Sequence, residues 1–209
     1  MEILDQLSSA VGDKTENSNK LVADQCIKNL KLLDDIVTGF GSKDRKLQSD
    51  CIEVFTMISE NHPDLIVPYA VKIVPLLSGK ETKTRWEAVH TLSFIADKVP
   101  DVIFSILPDL QELIEKDKST IVRDYTLDTV ANYAKTDKNA SEKAYGILKS
   151  TLVIWDEKHA KQVFIGFNHI LDNLPSLKNE IGKIVKPYLE AKKKVVVNEA
   201  RKIMKRIDE

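Results

Sequence analysis

A row of small residues recurs along this chain at an almost constant interval. Cys51, Ala88, Thr126, Val163 and Ala200 are spaced by 37, 38, 37 and 37 residues. Two rows of larger residues keep the same spacing: Phe55, Leu92, Val130, Phe167 and Met204, then Ile58, Ile95, Tyr133, Ile170 and Ile207. A fixed period of this size marks stacked supersecondary units, none of which can bury its apolar face alone. Folds of this kind usually work by presenting a surface rather than a catalytic pocket.

The unit reads as a pair of helices. In RWEAVHTLSFIADKVPD (85–101), Ala88, Leu92, Ile95 and Val99 fall at i, i+4, i+7 and i+11, one stripe of an α-helix. Trp86, His90, Ser93 and Asp97 take the opposite side. Pro100 ends the helix, because it donates no backbone bond and restricts the residue before it. A second amphipathic segment, DLIVPYAVKIVPLLS (64–78), precedes this one across the polar turn GKETKT. In register, the second (B) helices are expected at about 45–61, 83–99, 120–135, 158–173 and 194–208. The first (A) helices are expected at about 20–39, 64–78, 102–116, 141–154 and 176–191. The repeats then span 20–61, 64–99, 102–135, 141–173 and 176–208 of one domain covering 1–209. Residues 1–19 supply a short leading helix and a polar loop. Pro68, Pro75, Pro108 and Pro187 lie within A helices and are read as local bends, each losing one helical hydrogen bond.

Composition agrees with helix. Hydrophobic residues make up 43% and charged residues 30%, with only seven Gly and seven Pro. Net charge is −1, so no global field drives binding to nucleic acid or membranes, but residues 183–209 hold nine Lys or Arg against four Asp or Glu. Cys26 and Cys51 form no CxxC pair and read as small buried hydrophobes in a reducing compartment. The start MEILDQLSSAVGDK has no basic, apolar signal-peptide pattern, and no stretch approaches the roughly 18 apolar residues of a membrane span. A cytoplasmic protein is expected, with no membrane partner.

The segment DKSTIVRDYTLDTVANYA (117–134) resembles the inter-helix signature of the HEAT-repeat (armadillo-like) family through Asp117, Val122 and Arg123. The resemblance covers about residues 20–208. It implies an all-α, right-handed α-α superhelix (solenoid) of about five helix-pair repeats, with B helices lining the concave face. It also implies a polar ladder of Asp and Arg between neighbouring repeats. The ladder is partial here: the arginine position reads Gln48, Arg85, Arg123, Ala160 and Val197. Gly79 holds the aspartate position of the second repeat, and Trp155 lies near that of the fourth.

On the face opposite the core stripe, three rows run across the B helices: Ser49, Trp86, Asp124, Lys161 and Asn198; Glu53, His90, Asp128, Ile165 and Lys202; and Glu60, Asp97, Lys135, Asp172 and Glu209. Trp86 is a candidate aromatic anchor; the blander reading, that it packs across the neighbouring helix or the A–B turn, is the favoured one. With His90, Asp97, Asp124, Asp128 and Lys161 it forms a candidate face for a protein or peptide, the carboxylates suiting a basic one. Trp155 is read as a staple of the turn between the fourth A and B helices. Lys192, Lys193, Lys194, Arg201, Lys202, Lys205 and Arg206 form a basic patch around the last helix, read as a solubilising cap or as a site for an acidic or phosphate-rich partner. No phosphate-binding Gly-rich loop, GxSxG or HExxH is present, so no catalytic, cofactor or metal set is expected. The expected function is a non-enzymatic scaffold or adaptor. Two alternatives are an alkylation-repair glycosylase-like enzyme, with Trp86 and Asp124 at its site, and an adaptor for nucleic acid or an acidic partner through the basic last repeat. Nucleic acid is the less favoured partner, since the central rows are acidic or neutral.

Overall fold

The computed structural model describes residues 2–208; Glu209, the last member of the third row, lies outside them. Every regular element among the described residues is helical. The chain divides into two compact units, Met1–Ile95 and Ala96–Glu209. The first contains α1 (Ser8–Val11), α2 (Asn17–Lys28), α3 (Lys31–Thr38), α4 (Arg45–Ser59), α5 (Ala70–Ile73) and α6 (Thr82–Ile95). The second contains α7 (Pro100–Ser105), α8 (Leu107–Lys116), α9 (Thr120–Tyr133), α10 (Lys138–Trp155), α11 (Ala160–Asn173), α12 (Lys178–Val185) and α13 (Lys194–Asp208).

The B helices are α4, α6, α9, α11 and α13. Three of the helices start on side-chain caps. Asp44 accepts from the N–H groups of Lys46 and Leu47 ahead of α4, Ser119 from Val122 ahead of α9, and Asp137 from Ala140 ahead of α10. Helix α6 stops at Ile95, four residues short of the expected end. Val99 precedes Pro100 and takes a non-helical conformation (φ −129°, ψ 51°), so the chain turns over 96–98 instead of continuing.

The A segments correct the expectation of bent continuous helices. Pro68, Pro75 and Pro187 each sit at the first or second position of a separate 3-10 turn, and Pro108 at the second position of α8. The prolines open new segments, where the missing N–H is not needed. Only α10, whose 18 residues contain no proline, runs unbroken. The first A segment also breaks, at Asn29, which is extended (φ −138°, ψ 92°).

The small row is the packing seam. Cys51, Ala88, Thr126, Val163 and Ala200 are all fully buried, as are Phe55, Leu92, Val130 and Phe167 of the second row. Met204 and Ile207 of the last repeat are only half-buried. Burial pushes the Cys51 thiol up to about 12 and that of Cys26 to about 11, so both are inert apolar fillers.

Side-chain pairs fix the direction of the B helices. In the first unit, Ser49 Oγ meets Thr84 Oγ1 at 2.7 Å and Thr56 Oγ1 meets Thr91 Oγ1 at 2.8 Å. Both pairs are separated by 35 residues, so α4 and α6 lie side by side and parallel. In the second unit His159 meets Asp124 near the starts of α11 and α9, while Arg206 reaches Asn168 and Asp172 near the ends of α13 and α11. These three are parallel too. Gly166 permits the approach of α11: a Cβ there would collide with Leu148 Cδ1 and lie 3.1 Å from Ala131 Cβ.

Side-by-side packing also overturns part of the outward rows. Ser49 and Glu53 are only 4% and 5% exposed, because the flank of α4 is covered by α6 on one side and α2 on the other. Leu92→Ala should lower stability by about 2–5 kcal/mol in chemical denaturation; an unchanged midpoint would mean that the seam carries no packing energy.

Candidate functional site

On α6, Trp86 and His90 stand one turn apart and are half-buried. The Trp86 indole N–H is covered and has no acceptor. The His90 ring packs on Phe94 with centroids 4.9 Å apart, and burial pushes its pKa down to about 4, so it is neutral at pH 7.

Beside them lies a buried charged network that sequence reasoning missed. Asp50, Glu53 and Glu87 are each about one-twentieth exposed. Lys83 Nζ lies 2.9 Å from Glu53 and 3.5 Å from Asp50, and raises its own pKa through them against the opposing effect of burial. Glu53 also accepts from Asn19 Nδ2 at 2.5 Å, and Asp50 from the Ser9 N–H at 2.7 Å. Glu87 has the weakest compensation, and burial, with Glu53 adding to it, pushes its pKa up to about 7. The folded state therefore holds this proton up to about pH 7, whereas an unfolded glutamate releases it near 4.5. Stability from this group is present below the lower value and is lost as pH rises to the upper one. Glu87→Gln should remove that loss: its melting temperature relative to wild type should rise between pH 4.5 and 7, by at most about 3 kcal/mol in free energy. A pH-independent difference would contradict the assignment.

The polar loop 12–16 faces this region. Gly12 turns in the left-handed conformation (φ 74°), and Asp13 accepts from Thr15 and Ser18, which hold its pKa down at about 2. An open hollow of about 1510 Å³ separates the loop from the starts of α4 and α6, lined by Ser9, Lys14, Lys43, Lys46, Asp50 and Lys83 among others.

The second unit organises Asp124 and Asp128 differently from each other. The Asp124 carboxylate is 2.6 Å from His159 Nδ1. His159 is fully buried, and its Nε2 accepts from Arg123 Nε at 3.0 Å, so the ring proton sits on Nδ1 and is donated to Asp124. The carboxylate considered for a glycosylase-like role is thus already engaged. Asp128, one turn on, is half-buried and makes no hydrogen bond among the described residues; burial, then the charge of Asp124, pushes its pKa up to about 6, while Lys161 acts the other way.

At Arg123 this relay takes the place of an aspartate partner. Arg123, 2% exposed, meets His159 instead of an aspartate, and donates also to the Asp117 carbonyl and to Thr120 Oγ1. Arg85 does the same to the carbonyls of Gly79 and Lys80, and Gln48 to that of Phe40. The signature position thus ties the end of an A segment to its B helix wherever it holds a donor. In the fourth repeat it holds Ala160, and His159 just before it supplies the polar contact from the other side. That adjacency was the available signal. Trp155 lies 4.2 Å under Arg123 and its Nε1 donates to Ile114 O at 2.9 Å, so it reaches back to the preceding repeat instead of stapling only its own turn.

The basic run does not form one patch. Lys192, Lys193 and Lys194 are exposed at the start of α13, and Lys205 and Arg206 lie at its end, roughly 20 Å away along a helix of this length. Arg201 and Lys202 are exposed between them, but Lys202 pairs with Glu199 at 2.7 Å, and Arg206 holds Asn168 O and Asp172. Asp97 and Lys161 are exposed. No group of three or more His, Cys, Asp or Glu side chains suited to a metal ion occurs among the described residues, and no helix is long and apolar enough to cross a membrane.

No protein-family model matches the chain, and no curated protein matches it. Solved structures do. A designed armadillo repeat protein in complex with the peptide (KR)4 superposes with a TM-score of 0.76, covering 98% of each chain at 15% identity. Computationally designed armadillo repeat proteins for modular peptide recognition give 0.73 over 97% of each chain at 14% identity. An archaeal HEAT-like repeats protein from Thermococcus onnurineus NA1 gives 0.57, covering 91% of this chain and 92% of that one at 14% identity. The fold is therefore the armadillo/HEAT-like helical repeat, as the sequence resemblance implied.

Proposed function

We propose that the chain is a non-enzymatic scaffold that binds a protein or peptide segment on its B-helix faces, and that the segment recognised by the second unit is basic. The observation that carries this reading is Asp128. Its carboxylate is half-buried, lacks a hydrogen bond among the described residues, and stands beside a second carboxylate that is already occupied. A lysine or arginine side chain would supply the missing donor and offset the repulsion from Asp124. Support by likeness comes from the designed neighbours, one of which holds an alternating Lys-Arg peptide on the same fold. On α6, the half-buried Trp86 offers the kind of rigid aromatic surface that anchors partners, with His90 neutral beside it. Asp97 and Lys161, exposed nearby in the sequence pattern, are assigned to the rim of partner contact.

A labelled alternating Lys-Arg peptide, titrated at low salt and followed by fluorescence anisotropy, tests the reading. Binding should strengthen as pH rises through about 6, where Asp128 ionises. Asp128→Asn should weaken it roughly tenfold and flatten the pH dependence without lowering thermal stability, since it removes a carboxylate that burial disfavours. No binding, or equal affinity in the variant, would overturn the assignment.

A further inference from the structure

The second unit carries a feature that peptide recognition on the B-helix face does not use. Among its described residues, five large apolar side chains are exposed: Phe104, Ile121, Val153, Ile154 and Val195. Four of them lie at one end of the unit, where A segments hand over to B helices. Ile121 is in the first turn of α9, Val153 and Ile154 in the last turn of α10, and Val195 in the first turn of α13. Val153 is 83% exposed, Val195 53% and Ile154 46%.

These turns form one continuous edge. Trp155 at the end of α10 is bonded to Ile114 O at the end of α8 and stacked on Arg123 of α9. Asp156 accepts from Tyr188 OH at 3.3 Å, which joins the same turn to the one leading into α13. The parallel direction of α9, α11 and α13 places their starts on that side.

The same edge carries uncommitted cations. Lys118, Lys192, Lys193 and Lys194 are exposed and enter no ion pair or hydrogen bond among the described residues, Lys161 is exposed and acts electrostatically on Asp128, and Lys158 lies over the Trp155 ring. Acids share the edge: Asp117 accepts from the Ser119 N–H at 2.8 Å, Asp156 accepts from the Tyr188 hydroxyl, and Glu157 and Glu190 lie close to Lys158 and Lys192 in the chain. None of α9, α11 and α13 has an acidic residue in its first turn, whereas α7, α8 and α12 carry Asp101, Asp109 and Glu180 there. Lysines at a helix start oppose the helix dipole, so local helix stability does not account for them. The exposed parts of these aliphatic side chains likewise contribute nothing to the core.

Lysines interleaved with exposed aliphatic side chains along an edge match a surface that is negatively charged outside and apolar just beneath. We infer that this edge of the second unit docks peripherally on an anionic lipid surface, with Val153, Ile154, Val195 and Ile121 entering the headgroup–acyl boundary and the lysines meeting the headgroups. A nucleic-acid backbone would use the lysines but leave the aliphatic side chains in water.

Flotation of the full chain with vesicles of phosphatidylcholine, with and without phosphatidylserine, tests the inference. Capture should require phosphatidylserine and be released by salt. Lys192→Glu with Lys193→Glu should reduce partitioning roughly tenfold or more. Val153→Ser with Ile154→Ser, at exposed positions that leave the fold intact by circular dichroism, should also reduce it. Asp128→Asn should float like wild type, which separates this edge from the peptide face. Absence of capture at low salt would overturn the inference. So would loss in the lysine variant alone, accompanied by equal binding of duplex DNA, since that pattern describes a general polyanion contact.

Discussion

Side-by-side packing of parallel B helices is the contact on which the other features depend. Two helices can lie in register along their length only if the residues at the seam are small and recur at the repeat interval. Cys51 and Ala88, and then Thr126, Val163 and Ala200, meet that condition at full burial. Close approach brings the polar flanks of the helices together as well. Hydroxyl pairs such as Ser49–Thr84 and Thr56–Thr91 bridge α4 and α6, and Gly166 makes room for Leu148 and Ala131 between α9, α10 and α11.

Burying those flanks creates the main energetic cost of the arrangement, which is charge removed from water. Each unit meets it in its own way. In the first, Lys83, Asn19, the Ser9 N–H and Thr56 serve three carboxylates, and Glu87, farthest from full compensation, responds by holding a proton toward neutral pH. In the second, a guanidinium is sandwiched against Trp155 and passed through a neutral histidine to Asp124. The guanidinium and imidazole are matched donor to acceptor, so the relay holds register without leaving an orphan. Asp128 is the carboxylate left over, half-buried and without a hydrogen bond among the described residues.

Much of the architecture was legible in the residues. The period placed all five B helices, because apolar side chains that must meet a neighbour in every repeat are repeated with it. The A segments were less legible. Their prolines showed that something interrupts the helix, but a bend and a fresh start look alike in sequence, and only the non-helical residues before them distinguish the two. The outward rows gave the exposure of Lys161 and misled at Ser49 and Glu53, while Trp86 and Asp124 lie between the two, half-buried. A helical wheel divides a helix into two faces, whereas a B helix in a stack has neighbours on its flanks as well.

By itself, the sequence determined an all-helical repeat, its five-fold periodicity and the residues of its seam, since these follow from local spacing and the need to bury apolar surface. The tertiary structure decided which charges are spent internally and which remain available. Arg123 and His159 lie 36 residues apart and Asn19 and Glu53 34, so no local pattern announces their pairing. Desolvation and hydrogen bonding act through distance in space, and that is set only when the repeats stack.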